Sequence, residues 1–66
     1  MRLTVNGEAR ELADGSSVSV LLAQLDLAGR RLAVEVNEDI VPRSAHATHV
    51  LQDGDRVEIV HAIGGG

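Results

Sequence analysis

The sequence contains no cysteine, no lysine and no phenylalanine, tyrosine or tryptophan, and each absence removes a class of protein. Without thiols there is neither a disulfide scaffold nor a thiolate zinc module, the usual supports of a domain below about 80 residues. Thiol nucleophiles are excluded with them. Without lysine there is no side-chain amine for Schiff-base chemistry or isopeptide formation, and all six basic residues are arginines: Arg2, Arg10, Arg30, Arg31, Arg43 and Arg56. Without aromatics the 44% hydrophobic fraction is Leu, Val, Ile, Ala and one Met, so the predicted core is aliphatic. Apolar runs such as Val20-Leu21-Leu22 are too short for a membrane span or a secretory h-region, and the chain reads as a soluble cytoplasmic protein with no membrane partner.

What is present fits one small domain. At 66 residues only about 60% of the unfolded surface can be buried, so stability is expected to be modest. Ten acids against six bases give a net charge of −4, and the bases are scattered, with only Arg30-Arg31 adjacent. Nucleic acid is therefore not an expected partner.

Period-two alternation predicts a first strand over 2–5, with Leu3 and Val5 on one face and Asn6-Gly7 forming a type I′ hairpin turn. A polar-edged return strand follows over 8–12. Val18, Leu21, Leu22 and Leu25 recur at helical spacing behind Ser16-Ser17, which predicts a helix over about 17–26, ended by Ala28-Gly29-Arg30. Leu32, Val34 and Val36 alternate with Ala33, Glu35 and Asn37, predicting a central strand, then a turn at Asn37-Glu38-Asp39 and a short edge strand at Ile40-Val41-Pro42. Residues 43–50 read as irregular and Leu51–Asp55 as a turn around Gly54. The final strand is expected over 57–63, Val57 and Ile59 facing the helix and Glu58, Val60 and Ala62 the outer face. The resulting order, β-β-α-β-β-β, is α+β with one helix packed across a sheet. Leu3, Val5, Leu22, Val34, Val57 and Ile59 are the expected core.

Candidate chemistry is sparse. His46-x-x-His49 has metal-ligand character but no helical or strand periodicity and no spaced third ligand, so the two read as exposed loop histidines and no metal is expected. Arg30-Arg31 reads as a solvated loop pair, with contact to an acidic partner as the alternative. Gly64-Gly65-Gly66 is different, because glycines after a strand neither pack nor resist disorder. Lacking Cβ atoms, they suit a narrow channel and leave a terminal carbonyl open to attack. The terminal carboxylate is ionised at neutral pH and a poor electrophile, so it reacts only once activated, for which adenylation by ATP suffices. An idle flexible terminus is the alternative. The domain is thus divided as a body over 1–63 and a flexible glycine tail over 64–66.

Four stretches together resemble the ThiS sulfur carriers, a family within the ubiquitin-like β-grasp group: Leu3-Thr4-Val5-Asn6-Gly7-Glu8, then Ala33–Asn37 with Ile40-Val41-Pro42-Arg43-Ser44, then Leu51–Val60 with its Asp53-Gly54-Asp55, and the end Ala62-Ile63-Gly64-Gly65-Gly66. The resemblance implies a mixed β-grasp sheet and a protein that is a substrate and not an enzyme. A ThiF-like adenylating partner would join AMP to Gly66 using MgATP, with no cofactor resident in the carrier. A sulfur donor such as a cysteine desulfurase would convert it to a thiocarboxylate, and thiazole synthase would take the sulfur for thiamine. Gly64, Gly65 and Gly66 would enter the partners' active sites, and Val60, Ala62 and Ile63 would dock. Ala45-His46 stands where many relatives have a bulky aromatic, implying a flatter docking surface. The alternatives are a carrier of the same fold for another pathway, such as the small subunit of molybdopterin synthase, and a non-covalent β-grasp binding module.

Overall fold

A computed structural model describes residues 1–61; Ala62, Ile63, Gly64, Gly65 and Gly66, with the expectations attached to them, lie outside the described residues. The described residues form β1 (Arg2–Val5), β2 (Glu8–Glu11), α1 (Val18–Gln24), β3 (Leu32–Val36), β4 (Asp39–Val41), a 3-10 turn (Arg43–Ala45) and β5 (Arg56–His61). The strands make one mixed sheet in the order β2-β1-β5-β3-β4, with β5 parallel to β1 and antiparallel to β3. The element order agrees with the expected β-β-α-β-β-β. β3 is paired on both sides, by β5 and by the edge strand β4, as expected of a central strand, and β5 occupies the middle of the sheet.

Two turns with the same backbone geometry build the sheet's two outer hairpins. Asn6 and Gly7 both have positive φ, as a type I′ turn needs, and so do Asn37 and Glu38 between β3 and β4. Asp39, expected in that second turn, instead opens β4 and pairs with Val36. Both turn asparagines also clamp β5. The Ile59 N–H donates to Asn6 Oδ1 at 2.7 Å, and Asn6 Nδ2 donates to the Ile59 carbonyl at 3.2 Å. The Arg56 N–H donates to Asn37 Oδ1 at 3.0 Å, and Asn37 Nδ2 donates to Asp55 Oδ1 at 2.9 Å.

Helix α1 has only seven residues, too few to be stable alone, and is held by its ends and its buried face. Ser17 is the N-cap, its Oγ accepting from the Val20 N–H, as the spacing predicted. The next two free amides are satisfied from far along the chain: Val18 N–H donates to the His49 carbonyl at 3.0 Å and Ser19 N–H to the His46 carbonyl at 2.9 Å. The segment 43–50, expected to be irregular, therefore contains a 3-10 turn and closes the helix N-terminus.

At the other end Asp26 sits at φ 60, Leu27 N–H donates to the Leu22 carbonyl and Asp26 N–H to the Ala23 carbonyl. This is the Schellman pattern with an aspartate in the glycine position. The helix thus ends at Gln24, stopped by Asp26 and not by Gly29, because the local hydrogen bonds outweigh the cost of a left-handed non-glycine residue.

The core is aliphatic, as expected. Val18, Leu21 and Leu22 of the helix pack with Leu3, Val5, Val34, Val36, Val41, Val57 and Ile59 of the sheet and with Leu12 and Leu51 of the connections. His46 is a correction: it is 9% exposed and not a surface histidine. Its Nε2 lies 3.1 Å from the Val41 carbonyl, and this bond satisfies the ring nitrogen that burial would otherwise strand. No helix among the described residues is long and apolar enough to cross a membrane.

Replacing Asp26 with Gly is expected to raise stability by about 1 kcal/mol, since it removes a strained φ and an acid from the negative end of the helix. Thermal unfolding should show the midpoint rising by about 4–8 °C, the usual response of a domain this small. Asn6→Ala should cost about 2 kcal/mol by leaving the part-buried Ile59 amide and carbonyl unpaired. Amide exchange then should accelerate at Ile59, Val60 and His61 before Val57.

Candidate functional site

The residues that lead to the terminal glycines are held more firmly than a chain end usually is. β5 is hydrogen-bonded on both flanks through Val57, with Val36 on one side and Val5 on the other. Beyond that point β1 has turned away, and the Asn6 side chain takes over its role at Ile59. On the β3 side the ladder continues to the last described pair, Leu32 with His61. The chain's end is thereby launched from the middle of the sheet, at the end opposite the Asp53-Gly54-Asp55 turn.

Alternation along β5 sorts its side chains. Val57 and Ile59 are buried against the helix, while Arg56, Glu58 and Val60 lie on the open face. Register places Ala33 opposite Val60, Glu35 opposite Glu58 and Ile40 opposite Glu35, so all of these share that face. Val60 is 59% exposed and Ile40 73% exposed, as a docking surface requires. Val60 thus lies exposed on the outer face, where alternation along the strand predicted it. Two carboxylates directly opposite each other, Glu35 and Glu58, disfavour the sheet slightly. Sequence reasoning left Ile40 in a short edge strand without assigning it a face; only the register adds it to the same patch as Val60.

Two concave regions flank the base of the terminal segment on the helix side. The larger, about 570 Å³, is lined by Val5, Leu25, Leu27 and Ile59, with Glu8 and Arg10 among its polar residues. The smaller, about 200 Å³, lies where the loop after α1 meets the 3-10 turn. His46 is tied to Val41, and among the described residues no group of three metal-ligating side chains comes together. The described surface thus offers exposed apolar residues, charged residues and two shallow grooves.

Comparison with known proteins agrees with this architecture. The family model described as "ThiS family" matches residues 3–66. The Sulfur carrier protein ThiS of Escherichia coli is 39% identical over 66 residues, covering all of both chains. The Thiazole synthase of Paramagnetospirillum magneticum is 46% identical over 66 residues, which are all of this chain but 20% of that protein's length. Among solved structures, the thiamine biosynthesis protein ThiS of Geobacter metallireducens superposes with a TM-score of 0.85 at 36% identity, with full coverage of both. The sheet order, the single crossing helix and these matches agree on a ubiquitin-like β-grasp fold, and the chain belongs to the ThiS family.

Proposed function

We propose that this protein is the sulfur carrier of thiamine biosynthesis, and that its Gly66 carboxylate is the group that carries the sulfur. The observation that supports this most is the full-length likeness to the Escherichia coli sulfur carrier, in a fold whose last described strand occupies the middle of the sheet. A carboxylate oxygen of Gly66 attacks the α-phosphorus of ATP and pyrophosphate leaves, giving an acyl-adenylate on an adenylating partner that supplies the Mg site. The terminal sulfur of a donor persulfide, such as that of a cysteine desulfurase, then displaces AMP to give an acyl disulfide, and a thiol reductant cleaves its S–S bond to leave Gly66 as a thiocarboxylate. Thiazole synthase takes that sulfur and the carboxylate returns. The carrier body contributes no catalytic group and holds no cofactor of its own.

Thiazole synthase as the acceptor draws support from the likeness to a fifth of the Paramagnetospirillum magneticum enzyme of that name, where carrier-like and synthase sequence share one chain. That likeness weighs against the molybdopterin pathway. Gly64 and Gly65 give the reacting group a thin stem for entering each active site, and 64–66 form the flexible tail of a body over 1–63. Val60, together with Ala62 and Ile63, docks on the partners, with Ala33 and Ile40 completing the apolar part of the open face. A cytoplasmic location suits partners that use ATP.

Incubation with MgATP, the adenylating partner and a sulfur source, followed by thiol alkylation and mass analysis of C-terminal fragments, should place one alkyl group on Gly66. The cysteine-free sequence leaves no competing thiol. An unalkylated chain, with a partner active on another carrier, would sink the carrier reading. Val60→Glu should leave the fold intact, since the side chain is mostly exposed, and weaken partner binding about tenfold or more in a titration. Unchanged binding would take Val60 out of the interface.

A further inference from the structure

The charge of this protein is unevenly placed. Asp39, Asp53, Asp55 and Glu38 gather at the sheet end where β5 begins, whereas Arg30, Arg31 and Arg43 gather where it leaves. Antiparallel pairing explains the second group: Arg31 immediately precedes Leu32, the partner of His61, and Arg43 follows β4 as it runs back toward the same end. Arg30 and Arg43 line one groove of about 200 Å³, together with Leu22, Leu27, Leu32 and the buried His46. None of the ten acids of the chain lines it. The ion pairs among the described residues involve the Met1 amine with Asp14 and Arg56 with Glu38, so neither groove arginine is neutralised by them.

We propose that this groove receives an acidic side chain, Asp or Glu, from the surface of the adenylating partner, beside the entrance through which the terminal glycines pass. The inference rests on the carrier reading above. Arginine suits the role because its planar guanidinium matches a carboxylate with two parallel hydrogen bonds, and an apolar surround strengthens the pair by excluding water. The groove adjoins the base of the terminal segment through Leu32, so a partner that swallows the segment meets it.

Reach decides what the arginines do. From His61 to Gly66 the chain spans at most about 18 Å, five residues at roughly 3.3–3.6 Å each. With the segment extended into the partner, that is about two Debye lengths at physiological ionic strength, each about 8 Å. The groove therefore acts on docking and not on the phosphates at the reacting carboxylate.

The test is ATP–pyrophosphate exchange by the adenylating partner with the full-length carrier, at low and high salt. The double variant Arg30→Gln/Arg43→Gln is expected to raise KM for the carrier about tenfold with kcat within twofold, and to flatten the salt dependence. The control Arg2→Gln/Arg56→Gln, with the same change in net charge at the opposite end, is expected to leave KM within about twofold. Equal effects from the two variants would reduce the result to net-charge steering and overturn the groove. So would an unchanged KM, or a fall in kcat alone. Inhibition of the wild-type carrier by inorganic phosphate beyond that of chloride at matched ionic strength would make the groove a small-anion site and overturn the protein carboxylate as its occupant. No exchange with the wild-type carrier, by a partner active on another carrier, would overturn the carrier reading and this inference with it.

Discussion

The backbone hydrogen bonding of β5 on both its flanks is the constraint on which the rest of this structure depends. The last strand occupies the middle of the sheet, so neither hairpin is joined to the other until it arrives: β2-β1 lies on one side, β3-β4 on the other. A central strand buries its inward face fully, and Val57, Ile59 and their neighbours unite the two halves of the core. The contacts between the chain's first strand and its last are the most distant in sequence, and closing them carries the largest loop entropy. Placing two asparagines in the hairpin turns, each reaching onto β5 with side-chain hydrogen bonds, offsets part of that entropy at the points where ladder pairing stops.

The same economy governs the helix. Seven residues do not fold alone, and this one gains its stability from groups contributed from elsewhere. Its first amides are satisfied by the carbonyls of His46 and His49, which reach it because Ser17 bridges to Val50 and the Ser16 carbonyl accepts from Leu51. Burial of His46 belongs to this arrangement: the 3-10 turn carries its ring inward to the Val41 carbonyl and its backbone to the helix. The segment without periodicity is thus the clasp between helix and sheet edge.

These constraints also shape what the protein can present to others. Pairing on both flanks fixes β5 up to its last described residues, so the described body presents a rigid surface. The open face combines Val60, Ala33 and Ile40 with two opposed carboxylates, and at the end of the sheet where β5 leaves, Arg30 and Arg43 line the groove on one flank while Glu8 and Arg10 line that on the other. A net charge of −4 conceals this polarity, since the acids are concentrated at the other end. Charge placed in this way gives the described body a dipole along the sheet, which orients encounters with charged surfaces.

By itself the sequence determined the element order, the faces of the strands and the resemblance to its family. Leu3, Val5, Val34, Val57 and Ile59 were legible as core because alternation is a local property, and Asn6-Gly7 as a turn because few residues tolerate positive φ. The helix face was legible from Val18, Leu21, Leu22 and Leu25, though its end was not, since Asp26 takes a conformation that glycine normally marks. Only the tertiary structure decided that β5 lies in the middle of the sheet, that His46 is buried, and that Arg30 and Arg43 share a groove. Each of these depends on which distant segments pair, and pairing is set by the summed burial and hydrogen bonding of the whole chain, which no local period encodes.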